Sequence, residues 1–465
     1  MKQPQKAATQ TADKADAPAT AAHNKALEIS IVASLLALFL LLSFTSMRRK
    51  NATFDEGTHI PAAYTYVAYG DFRLNPEHPP LTKWLAGFAQ RLLTPTVVTT
   101  DAAWENGEQW EFGAKYLYAW NQADRLIFAA RTPGVLLAAL LGLVVFFAAR
   151  WFYGWQAGCF ALGLWVLNPD VLAHAQLVTT DLPVAGFLFL AVYRYFRALQ
   201  QTTAANVLLV GLAVGGCLVT KFSGVLIFPM LLLVGSVFVF SRQPGQWLLH
   251  RKAPARELVK RREKAALALG LIVAAGVMSL AVVWASYGFH ARLSPQEAVA
   301  NRINWPHYWV KEKFTTEALR LPYTLHLLPE AYVYGFLVML ESAENRLSYL
   351  FGETSYTGWW YYFLITFFVK TPILLLALIG LGLVFLRKYG AGLMVESLGF
   401  CPVGVYWLIT LTANLNIGHR HLLPIYPFLI VFAAKIARAF SLAEAEQTDA
   451  WRRRGYWCGM PSVPY

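Results

Sequence analysis

From about residue 27 the chain alternates between long apolar runs and short polar segments. The runs fall near 27–46, 132–150, 155–173, 182–199, 205–220, 224–240, 265–287, 361–386, 394–413 and 421–440. A hydrocarbon core about 30 Å thick is crossed by roughly 20 apolar residues in a helix, which is the length of most of these runs. They are continuous and do not alternate, and this excludes an outer-membrane barrel. The pattern predicts an all-α polytopic membrane protein with about ten or more transmembrane helices.

Two long polar segments interrupt the runs, 47–131 and 288–360, and a shorter basic one covers 241–264. Residues 1–26 are rich in Ala, Gln, Thr, Lys and Asp and read as a disordered tail. The apolar run after them lies too far in, and is too long, for a cleaved signal peptide, so it is expected to be an uncleaved anchor. The membrane domain is then expected over 27–440, followed by a short tail over 441–465.

Composition supports this picture. The chain of 465 residues is 57% hydrophobic and only 14% charged, against about 25% charged in soluble domains. A net charge of +13 would suggest nucleic acid in a soluble protein, but here the basic residues gather in alternate loops. With the N-terminus in the cytoplasm, Arg150, Arg194, Arg197, the stretch "RQPGQWLLHRKAPARELVKRREK", Arg387, Lys388 and Arg438 all fall inside, as the positive-inside rule requires. Arg48-Arg49-Lys50 is the exception, on the outer side. No nucleic-acid partner is expected. The four cysteines are scattered and form no C-x-x-C pair, so neither a disulfide framework nor a zinc site is indicated.

The same orientation gathers the unusual polar residues on the outer face. The first outer segment contains "TFDEGTHIPAAYTYVAYGDFRLNPEHPPLTKW", Thr53 to Trp84, in which nothing has the pattern of a packed core. A carboxylate at a membrane surface can act as general base toward a hydroxyl or amine, and Asp55 and Glu56 are the candidates. A solvated acidic pair or a helix cap accounts for them as well. Pro79 and Pro80 stiffen the backbone after Glu77-His78, holding Arg73, His78 and Lys83 where they can face an anion such as a lipid phosphate. A plain Pro-stiffened loop is the other reading.

Asp181, in "LVTTDLPVAGF", opens a run with Pro183 just inside it, which suits a helix cap as well as a site. Lys221, in "CLVTKFSG", either snorkels to the interface or meets a phosphate. Lys370, in "GWWYYFLITFFVKTPILLL", lies well into an apolar run, where an ionisable group is costly. His419, Arg420 and His421 crowd a short turn in "NLNIGHRHLLPIYPF". Phosphate binding and snorkelling are both open for these. A membrane-edge carboxylate with several cations on one side suits a lipid-phosphate-linked donor: the base takes the acceptor's proton and the cations stabilise the departing phosphate. No metal ligand is assigned, no cofactor is required, and a divalent metal stays open.

With these residues the chain resembles the GT-C membrane glycosyltransferases, and within them the protein O-mannosyltransferase and aminoarabinose transferase group, glycosyltransferase family 39 and its bacterial relatives. The matching pieces are "FDEGTHIPAAYTYVAYGDFRLNPEHPPLTKWLAG", "LVTTDLPVAGFLFL", "GLAVGGCLVTKFSG", "GWWYYFLITFFVKTP" and "IGHRHLLPIYPFLIVFAA", in family order over most of residues 50–440. The resemblance implies a multi-pass protein of the inner membrane. It implies inverting transfer of a sugar from a polyprenyl-phosphate donor to a protein, lipid or glycan acceptor on the non-cytoplasmic face. It implies Asp55 as catalytic base, Glu56 beside it and Asp181 as the second acidic motif. Glu77, His78 and Lys83, with Arg73, Lys221, Lys370, His419 and Arg420, would hold the donor's phosphate. Relatives usually continue past the last matched run, so the ending "WRRRGYWCGMPSVPY" suggests a shortened or altered C-terminus. The competing readings are a lipid or polysaccharide transporter, which would need midplane charges and repeated halves, and a non-catalytic assembly protein with the same fold.

Overall fold

A computed structural model describes residues 19–248, 256–295, 307–308, 314–344 and 346–439. Most of the 1–26 tail, all of 441–465, and parts of the 241–264 and 288–360 segments lie outside the described residues. The chain is built from helices: α1 (Ala19–Met47), α2 (Glu56–Tyr69), α3 (Leu81–Arg91), α4 (Ala102–Asn106), α5 (Gln109–Ala114), α6 (Ala123–Tyr153), α7 (Trp155–Val166), α8 (Pro169–Ala175), α9 (Asp181–Gln200) and α10 (Ala204–Thr220). They continue with α11 (Ile227–Phe240), α12 (Arg261–Ser286), α13 (Phe314–Thr324), α14 (Glu330–Glu344), α15 (Tyr362–Lys370), α16 (Ile373–Val384), α17 (Leu386–Tyr389), α18 (Leu393–Thr412) and α19 (Tyr426–Ala434). Among the described residues seven helical segments are long and apolar enough to cross a membrane, or eight if the bent pair α15–α16 counts as one span. Two further apolar helices, α7 and α10, are shorter.

Four of the expected runs are resolved differently, among them 224–240, which opens as a 3-10 turn at Phe222–Leu226 before α11. The run 155–173 is not one helix. It stops at Val166, and Asn168 then caps α8 by accepting from the amides of Asp170 and Val171, with Pro169 at the first helical position. The run 361–386 bends by 106° between α15 and α16. Pro372 offers no N–H and forces Thr371 into extended backbone, so the helix cannot run on. The last run, 421–440, opens as a 3-10 turn at His419–Ile425 before α19 continues it.

The long helices run alternately up and down, so every second connection falls at the same end. One end joins Glu56 to Arg131 at the start of α6, Asp181 at the start of α9 to Lys221 after α10, and Trp84 to the carbonyl of Ser286 at the end of α12. The other end joins Glu28 of α1 to Arg150 of α6, and strands Gln201–Thr202, Gly245–Trp247 and Arg256–Leu258 form a small sheet there. Close packing along the bundle depends on small residues. A Cβ at Gly211 or Gly215 of α10 would come within 2.7 or 2.6 Å of Met278 and Val282 on α12, so only glycine lets these two helices touch.

The segment after α1 does have a core, contrary to the expectation. Ile60, Tyr66, Phe72, Trp104, Phe112 and Tyr116 are buried together under Phe222 and Tyr287. Aromatic and helical spacing is hidden there by the interleaved polar residues. The opposite end also holds more than basic loops. Glu396, near the start of α18, accepts from Lys435 Nζ at 2.6 Å and from the Tyr153 hydroxyl at 3.1 Å. The side chains of Glu396 and Lys435 are 6% and 0% exposed.

Candidate active site

The chain's two best candidate carboxylates meet at one end of the bundle, each with its own cation. Asp55 is the last residue before α2, and its Oδ2 accepts from Nη1 of Arg420. Both side chains are about one third exposed, 29% and 30%. Arg420 stands in the 3-10 turn that follows Gly418, whose φ of 148° is open to glycine and strained for other residues. Asp181 is the first residue of α9, and its Oδ1 accepts from Lys221 Nζ at 2.5 Å. The expected alternative of a helix cap is not realised by Asp181: Thr180 holds the cap position, and Asp181 turns to the lysine. Arg420 interacts electrostatically with Asp181 as well as Asp55, so the two pairs form one charge cluster.

Glu56, adjacent in sequence, has a different surrounding. Its side chain and that of Arg131 are both 0% exposed, and the guanidinium grips the carboxylate through Nε at 2.8 Å and Nη2 at 2.6 Å. The amides of Thr53 and Val178 donate to it too. Burial pushes the Glu56 carboxyl up, but Arg131 and these amides outweigh it and hold the group below the usual carboxylate range. Arg131 also donates to the carbonyls of Lys50 and Asn51. One arginine on α6 therefore ties down the chain on both sides of Thr53, and with it the backbone that presents Asp55. Nothing in the sequence marks this role; Arg131 reads there as a basic residue at the edge of an apolar run.

The Pro-rich turn reaches the same cluster through His78. His78 feels the charges of Lys221 and Asp181, and its ring meets that of His59 edge-on at 5.0 Å. Burial first, and then the nearby cations, hold the His78 imidazole well below its ordinary value, and burial with Lys83 brings His59 down to about 4. At neutral pH both rings are uncharged. This corrects the expectation of His78 as a cation: it offers a neutral ring whose Nδ1 is buried and unpartnered. Glu77 beside it takes Asn75 and Gln109 on Oε1, leaving Oε2 buried and unpartnered.

Arg73 and Lys83 are not turned toward the cluster. Arg73 pairs with Asp71 at 2.9 Å and lies over the Trp104 ring. Lys83 is 0% exposed and donates to the carbonyls of Asn75 and His78 and to the Tyr66 hydroxyl. Burial brings its ammonium down to about 7. Both residues shape the turn and do not line it. The third expected lysine, Lys370, is exposed at the last position of α15. It stands at the bend and not within a continuous apolar helix, and it lies within electrostatic reach of His419. His419 itself bonds the Tyr426 hydroxyl at 2.7 Å and approaches Asp170 at 3.8 Å. His421, the last residue of the basic triplet, lies beside Lys221, Asp181, Arg420 and Arg346 with its Nε2 buried and unpartnered. Arg346 gave no signal in sequence, because it sits in a segment without periodicity.

The arrangement offers a partly open carboxylate, a second buried carboxylate, two cations and several neutral hydrogen-bonding groups with free valences. Such a set can accept a proton on one side and neutralise an anion on the other. The Glu56-Gly-Thr-His59 spacing puts an acid and an imidazole one turn apart, but Glu56 turns to Arg131 and His59 Nδ1 to the carbonyl of Val178 at 2.7 Å. No three metal-type side chains converge among the described residues.

Comparison with known proteins adds to this geometry. Residues 123–259 match the dolichyl-phosphate-mannose-protein mannosyltransferase family. No curated protein sequence matches the chain significantly. Among solved structures the fold is shared with ArnT from Cupriavidus metallidurans. The apo form matches at a TM-score of 0.54 and 16% identity over 89% of this chain and 60% of that one. The form bound to undecaprenyl phosphate matches at 0.51 and 16%, over 88% and 59%. The chain thus spans about three fifths of the length of the ArnT chains it resembles. With the mannosyltransferase pattern in residues 123–259 and the fold of ArnT around it, the chain is a polytopic membrane protein similar to the GT-C glycosyltransferases of the protein O-mannosyltransferase and ArnT type.

Proposed function

We propose that the chain transfers a sugar from a polyprenyl-phosphate donor to an acceptor, with inversion, on the non-cytoplasmic side of the inner membrane. The observation that carries this reading is the double pair Asp55–Arg420 and Asp181–Lys221, two carboxylates and two cations in one cluster at the end of the bundle. Asp55, the more open acid, is the base that takes the acceptor's proton. Arg420 and Lys221 neutralise the phosphate as the sugar leaves it, where negative charge develops. While Arg420 donates to Asp55 Oδ2, that oxygen is occupied; a donor phosphate that draws the guanidinium away frees it. Binding of the donor thereby readies the base. His78 donates or accepts as a neutral ring beside the phosphate, His421 offers its unpartnered Nε2, and Asp181 sets the position of Lys221. Glu56 and Arg131 fix the backbone under Asp55.

The basic loops support the orientation with the N-terminus in the cytoplasm. The ArnT structure that holds undecaprenyl phosphate supports the class of donor. The acceptor is a protein hydroxyl, a lipid or a glycan. The test is to incubate membranes carrying the full chain with radiolabelled polyprenyl-phosphate sugars and follow label into any acceptor. Transfer that depends on Asp55 is expected, and undiminished transfer in the Asp55→Ala variant would refute the mechanism.

A further inference from the structure

The triplet Arg48-Arg49-Lys50 breaks the charge rule that the other loops obey, and the site around Asp55 does not use its side chains. Arg48 and Lys50 line an open cleft of about 870 Å³, shared with Arg125 and Asp124 of α6. Its floor is apolar and includes Met47 and Phe128. Leu93 and Arg125 also line a second open cleft of about 700 Å³ beside it. Arg48 lies over the Phe128 ring at 5.7 Å, Lys50 reaches Gln176 at 3.3 Å, and Arg125 reaches Gln122 at 3.4 Å. Among the described residues none of these three cations has an ion-pair partner. Asp124 is the one carboxylate in the lining, against three cations.

The depth of the cleft follows from the helices. Met47 ends the first membrane-length helix and Ala123 begins the second, so the cations stand at headgroup level and the apolar floor just below them. Only 11% of the apolar stretch of α1 is buried inside the protein, so this flank faces lipid. A soluble anion would gain nothing from the apolar floor, whereas a lipid with an acyl chain and a phosphate headgroup matches both parts.

We propose that this cleft binds the phosphate headgroup of an anionic membrane lipid, at a site separate from the Asp55 cluster. The two sites share a support: the backbone carbonyls of Lys50 and Asn51 accept from Arg131, which also holds Glu56. The proposal rests on the cleft and its depth, and stands whether or not the chain transfers a sugar.

Native mass spectrometry of the purified full chain, titrated with phosphatidylglycerol or with phosphatidylcholine of the same acyl chains, tests it. Phosphatidylglycerol is expected to bind at least about thirtyfold more tightly, at about fivefold for each cation that meets the headgroup. That preference falls about fivefold in Arg48→Gln and further in the Arg48→Gln/Arg125→Gln double variant, roughly the effect of one cation each at an anionic headgroup. Arg420→Gln keeps it. Glycerol phosphate, the headgroup without its chains, does not compete at equal concentration. Unchanged phosphatidylglycerol binding in the double variant overturns the proposal. So does its loss in Arg420→Gln alone, which would place the lipid at Asp55. Equal competition by glycerol phosphate overturns it too, because the ligand is then a soluble phosphate.

Discussion

Two carboxylate–cation pairs fasten the same C-terminal helical stretch to the rest of the bundle, one at each end. Arg420, at its start, holds Asp55; Lys435, at its finish, holds Glu396. The chemistry is the same and the surroundings are opposite. The Asp55 pair is about one third exposed and stands next to a second pair and to unpartnered ring nitrogens. The Glu396 pair is closed over by Tyr153, and Lys435 Nζ lies 3.4 Å above the Phe432 ring centroid. An ion pair that a ligand can enter, and that has free valences around it, is suited to reaction. One that is closed over and out of a ligand's reach is suited to holding helices together.

The largest expected effects exchange the two roles. Asp55→Ala should lower sugar transfer about 10³-fold, within the range for losing a positioned general base. Unfolding in detergent should shift by no more than about 1 kcal/mol, because the pair is partly exposed. Glu396→Ala should do the reverse: a loss of about 3–5 kcal/mol from leaving Lys435 buried and unpaired, with turnover per folded molecule kept. Activity and thermal unfolding measured on both variants would break the comparison if the outcomes were swapped.

Glu56→Gln comes next and should combine the two phenotypes. It leaves Arg131 buried with a weakened partner, at a cost of order 3 kcal/mol. It also loosens the backbone under Asp55, so turnover falls at saturating donor more than donor affinity does. Lys83→Met has a smaller effect with a pH signature. The folded-state value of Lys83 lies near 7, below its ordinary 10.5. The unfolded chain therefore holds the proton through a window where the folded chain has released it, and the parent gains stability as pH rises from about 7 to about 9. The variant should lack this gain, about 2 kcal/mol across the window, as read from unfolding at each pH. The smallest effect is expected from the double change Glu396→Leu/Lys435→Met, within about 1 kcal/mol of the parent, since apolar replacement of a closed pair is often neutral. A large loss there would mean the pair does more than fasten.

Much of this was legible in the chain. Apolar run length fixes the class of fold; the run at 182–199 lies within α9, and the run at 265–287 overruns the end of α12 by one residue. The collection of Asp55, Asp181, Lys221 and Arg420 at one end follows from the alternation of helices, and the structure brings all four together. Local pattern could not separate Asp55 from Glu56, because the difference is made by Arg131, 75 residues away from Glu56. Nor could it see that Lys83 bends back to the carbonyls of its own turn, or that burial leaves His78 neutral. Glu396 and Lys435 were hidden for the same reason: each reads singly as an interfacial charge, and only packing makes them a pair. Side-chain partners distant in sequence have no periodicity to betray them.

The order in which the parts of the site are synthesised has its own consequence. Asp55 emerges soon after the first membrane helix, Asp181 and Lys221 with the middle ones, and Arg420 on the last described helical stretch. Until that stretch has entered the bilayer, Asp55 stands without the guanidinium of Arg420. The Asp55–Arg420 pair therefore forms only after every helix between α2 and α19 has been made, so its formation reports the packing of the first and last described parts of the bundle.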